Sequence, residues 1–293
     1  MRLPHFHYVA PSSVEEACRA LAGLGKGTHA LAGGTDLLVK MKQRRLVPAH
    51  LVNLKTIPGL DYIRFDEADE LLRIGALATI QAIKNSAVVR RSFTVLNQAA
   101  AVESSVQIRN RATLGGNIAN ASPAADAPLA LVVHGADLLI AGPAGEREVP
   151  IGDFFIGPGR TILTAGEIIR EVRVPRPPAG SGGAYLKHAV RRTDIAIVST
   201  AVLLTMFEGV CIAARIGLGS VAPTAIRAKK AEETLLGRRV TEEVTKKASE
   251  EAAREARPID DIRGYADYRV WTLRQLVERA ISDALKESKV RGI

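Results

Sequence analysis

The stretch ALAGGTDLLVKMKQRR, residues 30–45, joins an apolar segment to a basic one through two glycines. Residues 28–32 have the pattern of a short strand and residues 35–45 that of a helix, so Gly33 and Gly34 lie where the strand turns into the helix. Glycine permits positive φ and close approach of the backbone to a neighbour. The first amides of the helix favour an anion at the turn. The segment therefore predicts a phosphate-binding turn, with an ordinary strand-to-helix turn as the alternative.

A second glycine-rich segment, RATLGGNIANASPAADAPLA at residues 111–130, strengthens the phosphate interpretation. Its residues 113–117 form another place where the backbone must pass close to a neighbour, and residues 122–128 supply a hydroxyl and a carboxylate just before a predicted helix. Asp126 suits sugar or ribityl hydroxyls because a carboxylate accepts two hydrogen bonds, although it could equally cap the helix. Neither segment matches GxGxxG or GxxxxGK[ST]. Two such turns together predict a site for an extended dinucleotide.

The remaining patterns predict three structural units. Ser12 and Ser13 form overlapping capping boxes with Glu15 and Glu16, which mark the start of a helix that runs to about residue 23. The composition changes at PRPPAGSGG, residues 175–183, where a boundary is expected. We expect domains at 1–57, 58–177 and 178–293. The predicted strands are 28–32, 50–54, 60–65, 71–74, 136–140, 167–174, 184–190, 197–207 and 211–217, and the predicted helices are 35–45, 80–103, 127–133, 229–236, 241–256 and 265–286. The last three strands predict an antiparallel meander covered by three helices, an α+β arrangement.

Composition narrows the function classes. The chain has 293 residues, 47% of them hydrophobic and 24% charged, as in an ordinary globular protein. No apolar run approaches the ~20 residues that span a bilayer, so neither a transmembrane segment nor a signal peptide is expected and the protein is expected to be cytoplasmic. Two cysteines give no disulfide framework and cannot supply the four thiolates that an iron–sulfur cluster usually takes.

The net charge of +9 is compatible with an anionic ligand or an acidic partner protein. Nucleic-acid binding is not expected, because few aromatic residues accompany the basic groups at 40–45, 191–192 and 227–230. The histidines stand without HExxH or another metal spacing, and no GxSxG nucleophile elbow is present. The sequence thus predicts no metal ligands and leaves the catalytic residues unknown.

The motif AGGTDL at residues 32–37, followed about eighty residues later by ATLGGNI and ASPAAD at 112–118 and 121–126, resembles the FAD-binding medium subunit of molybdenum hydroxylases. This group includes carbon monoxide dehydrogenase and the flavin domain of xanthine dehydrogenase. The resemblance covers nearly the whole chain. It implies an FAD-binding domain of the vanillyl-alcohol-oxidase type with two subdomains, followed by a small C-terminal domain with a three-stranded antiparallel sheet and three helices.

The resemblance also implies roles for single residues. The first glycine segment would wrap the pyrophosphate, the second would approach the flavin and its ribityl chain, and Asp126 would bind cofactor hydroxyls. Ile169 would pack on FAD unless it is a simple core residue, and Lys187 would place a cation near the isoalloxazine unless it is a solvated strand lysine. Tyr185 and Ile195 are weaker candidates for shielding the ring. The implied cofactor-binding residues are Ala30, Leu31, Ala32, Gly33, Gly34, Thr35, Asp36, Leu37, Thr113, Leu114, Gly115, Gly116, Asn117, Ala121, Ser122, Ala124, Asp126, Ile169 and Lys187.

The resemblance further implies partners, because the chain lacks molybdopterin and iron–sulfur motifs. Residues 122–128 run straight into a helix without the cysteine-rich insertion of the 4-hydroxybenzoyl-CoA reductases. The expected assembly contains a [2Fe-2S] small subunit and a molybdopterin-containing large subunit, in a dimer of heterotrimers. FAD in this chain would accept electrons from the small subunit and pass them to an external quinone, oxygen or NAD. Two alternatives stay open: a self-sufficient flavin oxidoreductase with its own substrate, and a basic binding module that has lost the flavin.

Overall fold

A computed structural model describes residues 2–291, and within them the chain forms a three-stranded, a five-stranded and a four-stranded sheet and a short two-stranded hairpin. The three larger sheets follow one another along the chain. In the described residues no helix is long and apolar enough to cross a membrane.

The first sheet is parallel, with the strand order β1-β3-β2. Parallel neighbours need crossover connections, which α1 and α2 supply. Of the predicted capping, Ser13 caps α1, because the Glu16 N–H donates to Ser13 Oγ at 3.2 Å. The Glu16 carboxylate accepts from the Ser12 N–H at 2.8 Å, so the carboxylate pairs with Ser12. Helix α2 is shorter than predicted because Arg44 adopts the left-handed conformation (φ 57°) and ends it. The elements are β1 (His7–Val9), α1 (Val14–Gly23), β2 (Thr28–Leu31), α2 (Leu37–Lys42), β3 (His50–Asn53) and a 3₁₀ turn at Leu54–Thr56.

The second sheet is antiparallel, in the order β4-β5-β10-β6-β7. The helical stretch predicted over 80–103 is three short helices, because Ser86 has extended backbone and its Oγ caps the second of them. The sequence did not predict β7, β8 or β9. The elements are β4 (Ile63–Asp66), β5 (Leu71–Gly75), α3 (Ile80–Asn85), α4 (Ala87–Ser92), α5 (Thr94–Val102), α6 (Val106–Arg109), α7 (Leu114–Ala119), α8 (Asp126–His134), β6 (Asp137–Gly142), β7 (Gly145–Pro150), α9 (Ile151–Phe154), β8 (Phe155–Gly157), β9 (Arg160–Thr161) and β10 (Ile168–Pro175).

The third sheet is the predicted antiparallel meander, extended by one short edge strand, in the order β11-β12-β13-β14. Helices α10 and α12 pack on one face of the sheet, and α11 packs on these two helices. Gly182 permits the close contact with α12, since a Cβ there would lie 2.2 Å from the Ala284 carbonyl oxygen. The elements are β11 (Ser181–His188), β12 (Val198–Phe207), β13 (Val210–Gly219), β14 (Ile226–Arg227), α10 (Lys229–Leu235), α11 (Glu242–Glu255) and α12 (Ala266–Arg291).

Helix α8 joins the second and third sheets. All nine of its residues, DAPLALVVH, are buried, as expected of a helix that is apolar on every side. It contacts β10 of the second sheet and β12 and β13 of the third, while α5 packs on β11. Tyr185 and Ala201 of the third sheet therefore belong to the same buried cluster as α5 and α8. This shared core brings the middle of β11 against the first turn of α8.

Candidate functional site

A cavity of about 720 Å³ lies where the turn after β2, the helix α7, the end of α5 and the start of β10 meet. Its volume is within the range of small-molecule and cofactor sites. The two glycine-rich segments are distant in the sequence, and both line this cavity. The predicted site residues that line it are Ala30, Ala32, Gly33, Gly34, Thr35, Asp36, Leu37, Thr113, Gly115, Gly116, Asn117, Ser122, Ala124, Asp126 and Ile169.

Four predicted residues lie outside the cavity wall. Leu31 ends β2, and the fully buried Leu114 belongs to the core beneath α7. Ala121 is buried in a left-handed conformation (φ 49°) that turns the chain after α7. Lys187 is not the solvated lysine considered above, because its side chain is only 4% exposed and its ammonium contacts Asp126. Of the two weaker candidates for shielding the ring, Ile195 lines the cavity.

The turn after β2 has the geometry of an anion site. Within the described chain, the N–H groups of residues 33–36 donate no hydrogen bond to protein, so four consecutive donors are available at the cavity. A Cβ on Gly33 would lie 2.0 Å from the Arg111 carbonyl oxygen, and Gly34 has φ 76°. A side chain at position 33 would therefore collide with the Arg111 carbonyl, and the left-handed backbone favours glycine at position 34. Gly33 is one point where the two segments touch.

The second pair of glycines lies in a helix rather than in the turn that the sequence suggested. Thr113 caps α7, with its Oγ1 accepting from the Gly116 N–H at 3.2 Å. A Cβ on Gly115 would lie 2.7 Å from the Ala76 Cβ and 2.9 Å from its carbonyl oxygen. The Gly115 N–H donates to that oxygen at 2.8 Å. The close approach made by Gly115 is thus to the protein backbone, and it allows α7 to pack against the end of β5.

Three polar side chains in the cavity wall connect the two segments. Lys40 of α2 donates through Nζ to the Asn120 side-chain oxygen at 2.9 Å. The Asn120 amide in turn donates to Asp36 Oδ1 at 3.2 Å. The exposed Lys40 side chain places a positive charge in the wall of the cavity that the four available N–H groups also line, which favours a phosphate there.

A buried polar cluster closes the cavity at the start of α8. Asp126 Oδ1 accepts from the Tyr185 hydroxyl at 2.5 Å, and Asp126 Oδ2 accepts from Lys187 Nζ at 2.9 Å. Lys187 Nζ also donates to the Val102 carbonyl at 2.9 Å. Burial raises the pKa of Asp126, while the Lys187 ammonium and the Tyr185 hydroxyl oppose that rise. Burial and the nearby Asp126 raise the pKa of the Tyr185 phenol well above its usual range, so the phenol stays a donor.

Glu103 belongs to the same cluster and was not predicted from the sequence. Its Oε1 accepts from Asn117 Nδ2 at 2.7 Å, and its Oε2 accepts from the Ala127 N–H at 3.4 Å. Burial, followed by the proximity of Asp126, raises the pKa of Glu103 to about 8. One sequence signal could have found it, because Glu103 is an isolated acid directly after the apolar run AAAV, residues 99–102.

Glu167 was also missed from the sequence. It lines the same cavity, but its pKa is lowered where that of Glu103 is raised. It pairs with Arg147 at 2.7 Å and accepts from the Thr164 N–H at 2.7 Å. Arg147 is the main reason that the pKa of Glu167 falls to about 2. Nearby, the register of β10 shifts between Ile169 and Glu171, a bulge of the kind often found beside functional sites. Ile169 adds an apolar surface to the wall.

The arrangement fits a long, phosphate-bearing cofactor. Four available amides and a lysine form one part of the wall, and carboxylates that can accept from hydroxyls form another. Apolar residues between them suit a planar ring system. In residues 2–291 no three His, Cys, Asp or Glu side chains converge as a metal site would require.

Comparisons with known proteins agree with this geometry. Residues 4–177 match the family described as the FAD binding domain in molybdopterin dehydrogenase, and residues 184–284 match the CO dehydrogenase flavoprotein C-terminal domain. The chain is 37% identical to the carbon monoxide dehydrogenase medium chain of Hydrogenophaga pseudoflava, over 96% of this chain and 97% of that one. It is 34% identical to subunit alpha of the 6-hydroxypseudooxynicotine dehydrogenase complex of Paenarthrobacter nicotinovorans, over 99% and 97%.

The solved structure of carbon monoxide dehydrogenase from Hydrogenophaga pseudoflava, in a form lacking the Mo-pyranopterin moiety, superposes with a TM-score of 0.95. Its sequence identity is 38%, and the match covers 98% of this chain and 99% of that one. These relatives are subunits of dehydrogenase complexes, and the fold predicted from the sequence is confirmed. The chain belongs to the FAD-binding family of the molybdopterin dehydrogenases, together with the medium chains of carbon monoxide dehydrogenases.

Proposed function

We propose that this chain is the FAD-carrying electron-transfer subunit of a molybdenum hydroxylase complex and that the cavity described above holds its FAD. The observation that carries the proposal is the meeting of the two glycine segments at Gly33 and Arg111, beside four backbone N–H groups that have no acceptor among residues 2–291. Bound FAD supplies a redox centre that takes electrons from the [2Fe-2S] clusters of a small subunit and delivers them to an external quinone, oxygen or NAD.

The chain's own residues divide the work of binding. The N–H groups of residues 33–36 would donate to the pyrophosphate, and Lys40 would add a positive charge. Asp126, held by Tyr185 and Lys187, keeps further lone pairs that can accept from ribityl or ribose hydroxyls. Ile169 and Ile195 would cover apolar ring surface and exclude water. Lys187 would act through Asp126, since its ammonium points at that carboxylate.

The proposed assembly is based on the kind of subunit that the relatives are. The relatives are named as a medium chain and as a subunit of a dehydrogenase complex, which supports a multi-subunit arrangement. We propose a [2Fe-2S] small subunit and a molybdopterin-containing large subunit as partners, in a cytoplasmic dimer of heterotrimers. We also propose the domain limits 1–57, 58–177 and 178–293 for this chain.

Flavin retention tests the assignment of the cavity. The full-length chain is incubated with FAD, desalted and examined by visible absorption, alongside Gly33→Ala and the matched control Gly23→Ala. A Cβ at Gly33 meets the Arg111 carbonyl, whereas a Cβ at Gly23 meets no atom within 4 Å. We expect wild type and G23A to retain flavin, and G33A to bind it at least about tenfold more weakly, a loss of about 1.4 kcal/mol.

Circular dichroism separates loss of the site from loss of the fold. A folded G33A protein with undiminished FAD affinity would show that FAD binds outside this cavity. A folded wild-type chain that retains no flavin would contradict the proposal and favour the basic binding module, which salt-sensitive binding of nucleic acid would then support.

Purification of the tagged chain from its native host tests the partners. Iron and molybdenum that co-elute with FAD in a constant ratio would support the complex. FAD without iron or molybdenum, together with bleaching of the flavin by a small organic substrate, would favour the self-sufficient oxidoreductase instead.

A further inference from the structure

The turn that follows α5 places one acidic side chain in the cavity wall. Glu103 is 8% exposed, and Ser104 beside it has a left-handed backbone (φ 50°). Both residues line the cavity. Arg109 holds this turn, since its Nη1 donates to the carbonyl oxygens of Glu103 at 3.0 Å and Ser104 at 2.7 Å. A left-handed non-glycine residue fixed by a buried guanidinium is a conformation that the surrounding structure imposes.

The charges around Glu103 do not balance if it is ionised. Asp126 of α8 and Glu103 are two buried carboxylates, and Lys187 of β11 is the ammonium that contacts one of them, Asp126. The hydrogen-bond donors on Glu103 itself are the neutral amides of Asn117 and Ala127. Asp36, before α2, adds a further negative charge that disfavours an ionised Glu103. The Arg109 guanidinium contacts the backbone carbonyl oxygen of Glu103 and not its carboxyl group. The buried Tyr185 phenol donates to Asp126.

We propose that Glu103 is a protonated residue of the FAD site and that loss of its proton weakens FAD binding. The inference rests on the proposed function, because it takes the cavity to be the FAD site. Ionising two neighbouring carboxyl groups in a low-dielectric wall costs free energy, so the carboxylate that lacks a cationic partner takes the proton. A neutral Glu103 leaves one negative charge fewer in the cavity wall that would hold the doubly charged pyrophosphate. It also carries an O–H that can donate to an acceptor on the cofactor.

The sign of the pH dependence follows from linkage. The pKa of Glu103 is raised to about 8 in the chain alone, and an anionic ligand nearby raises it further. FAD affinity is therefore constant well below pH 8 and falls above it, until the higher pKa of the FAD-bound form is reached. We expect the dissociation constant of FAD to rise about fivefold between pH 7 and pH 9.

Two variants separate Glu103 from other groups that titrate near the cavity. Glu103→Gln keeps the shape and the neutral charge, so its FAD affinity should be constant from pH 7 to pH 9. Glu167→Gln removes a carboxylate that also lines the cavity but whose pKa of about 2 keeps it ionised over this range, so its profile should keep the wild-type slope. Burial and Arg111 lower the pKa of Lys55. Because Lys55 is present in all three proteins, any slope that it adds is common to them, and the difference between the wild-type and E103Q slopes measures the contribution of Glu103.

The measurement is FAD titration of each full-length apoprotein by fluorescence quenching at pH 7, 8 and 9. Calorimetric titration of wild type at pH 8.5, in two buffers of different ionisation enthalpy, adds a readout that needs no variant. FAD binding should take up about half a proton or more per site at that pH. A flat wild-type profile, an E103Q profile with the wild-type slope, or binding without proton uptake would overturn the role of Glu103 while leaving FAD in the cavity. Failure of wild type to bind FAD at any of these pH values would overturn the proposed function as well.

Discussion

Replacement of Lys187 by methionine removes the ammonium that contacts buried Asp126. In the wild type, Lys187 Nζ lies 2.9 Å from Asp126 Oδ2, and the two side chains are 4% and 6% exposed. Breaking a buried ion pair from one side leaves an uncompensated charge and costs about 3 to 5 kcal/mol. The Tyr185 hydroxyl stays on the carboxylate and places the expected loss near the lower end, about 3 kcal/mol in the free energy of unfolding at pH 8.

The loss should also depend on pH. Without Lys187, burial raises the pKa of Asp126 further above that of the unfolded chain, and a carboxyl with a raised folded pKa stabilises the fold increasingly as the pH falls. The difference between K187M and wild type should therefore be smaller at pH 5.5 than at pH 8. Adding Asp126→Asn should recover part of the stability, because the double variant no longer buries a charge in this pair.

Urea unfolding followed by circular dichroism at the two pH values measures both effects. The matched control is Lys286→Met, which breaks an ion pair with Asp283 whose lysine is 76% exposed and should change stability by less than about 1 kcal/mol. If K187M lost no more than K286M, or lost equally at pH 5.5 and pH 8, the reasoning from the buried pair would be refuted.

Two further predictions concern the cavity wall. Gly115→Ala puts a Cβ 2.7 Å from that of Ala76 and should lower the free energy of unfolding by about 1 to 3 kcal/mol through overpacking. Gly152→Ala, in open space on α9, should cost nothing. Equal thermal melting points for the two variants would contradict the packing argument. Arg147 lowers the pKa of Glu167 to about 2, so this carboxylate stabilises the fold above its unfolded pKa, and the stabilisation disappears as the pH falls through about 2. Because Arg147 is 40% exposed, Glu167→Gln should lower the free energy of unfolding by about 1 kcal/mol at pH 7 and by nothing in strong acid. A loss that is independent of pH in urea titrations would count against a stabilising ion pair.

The sequence predicted the elements whose signals are local. The capping serine Ser13, the glycine turn at Gly33 and Gly34, and the meander of β11 to β13 each depend on residues within a few positions of one another. Most of the predicted cofactor residues line one cavity, because the two glycine motifs identify both parts of its wall. Errors in the element limits arose where a single backbone conformation ended a helix, as Arg44 does for α2.

The polar cluster was decided only by the tertiary structure. Asp126 and Lys187 are separated by 61 positions, and Glu103 meets Asn117 across 14, so no local pattern links them. They meet because the apolar helix α8 is enclosed between two sheets, and this burial brings the middle of β11 to its first turn. The same enclosure removes water, so the balance between two carboxylates and one ammonium fixes which group keeps a proton. The motifs alone predicted a cofactor site, whereas the charges that tune it depend on long-range packing.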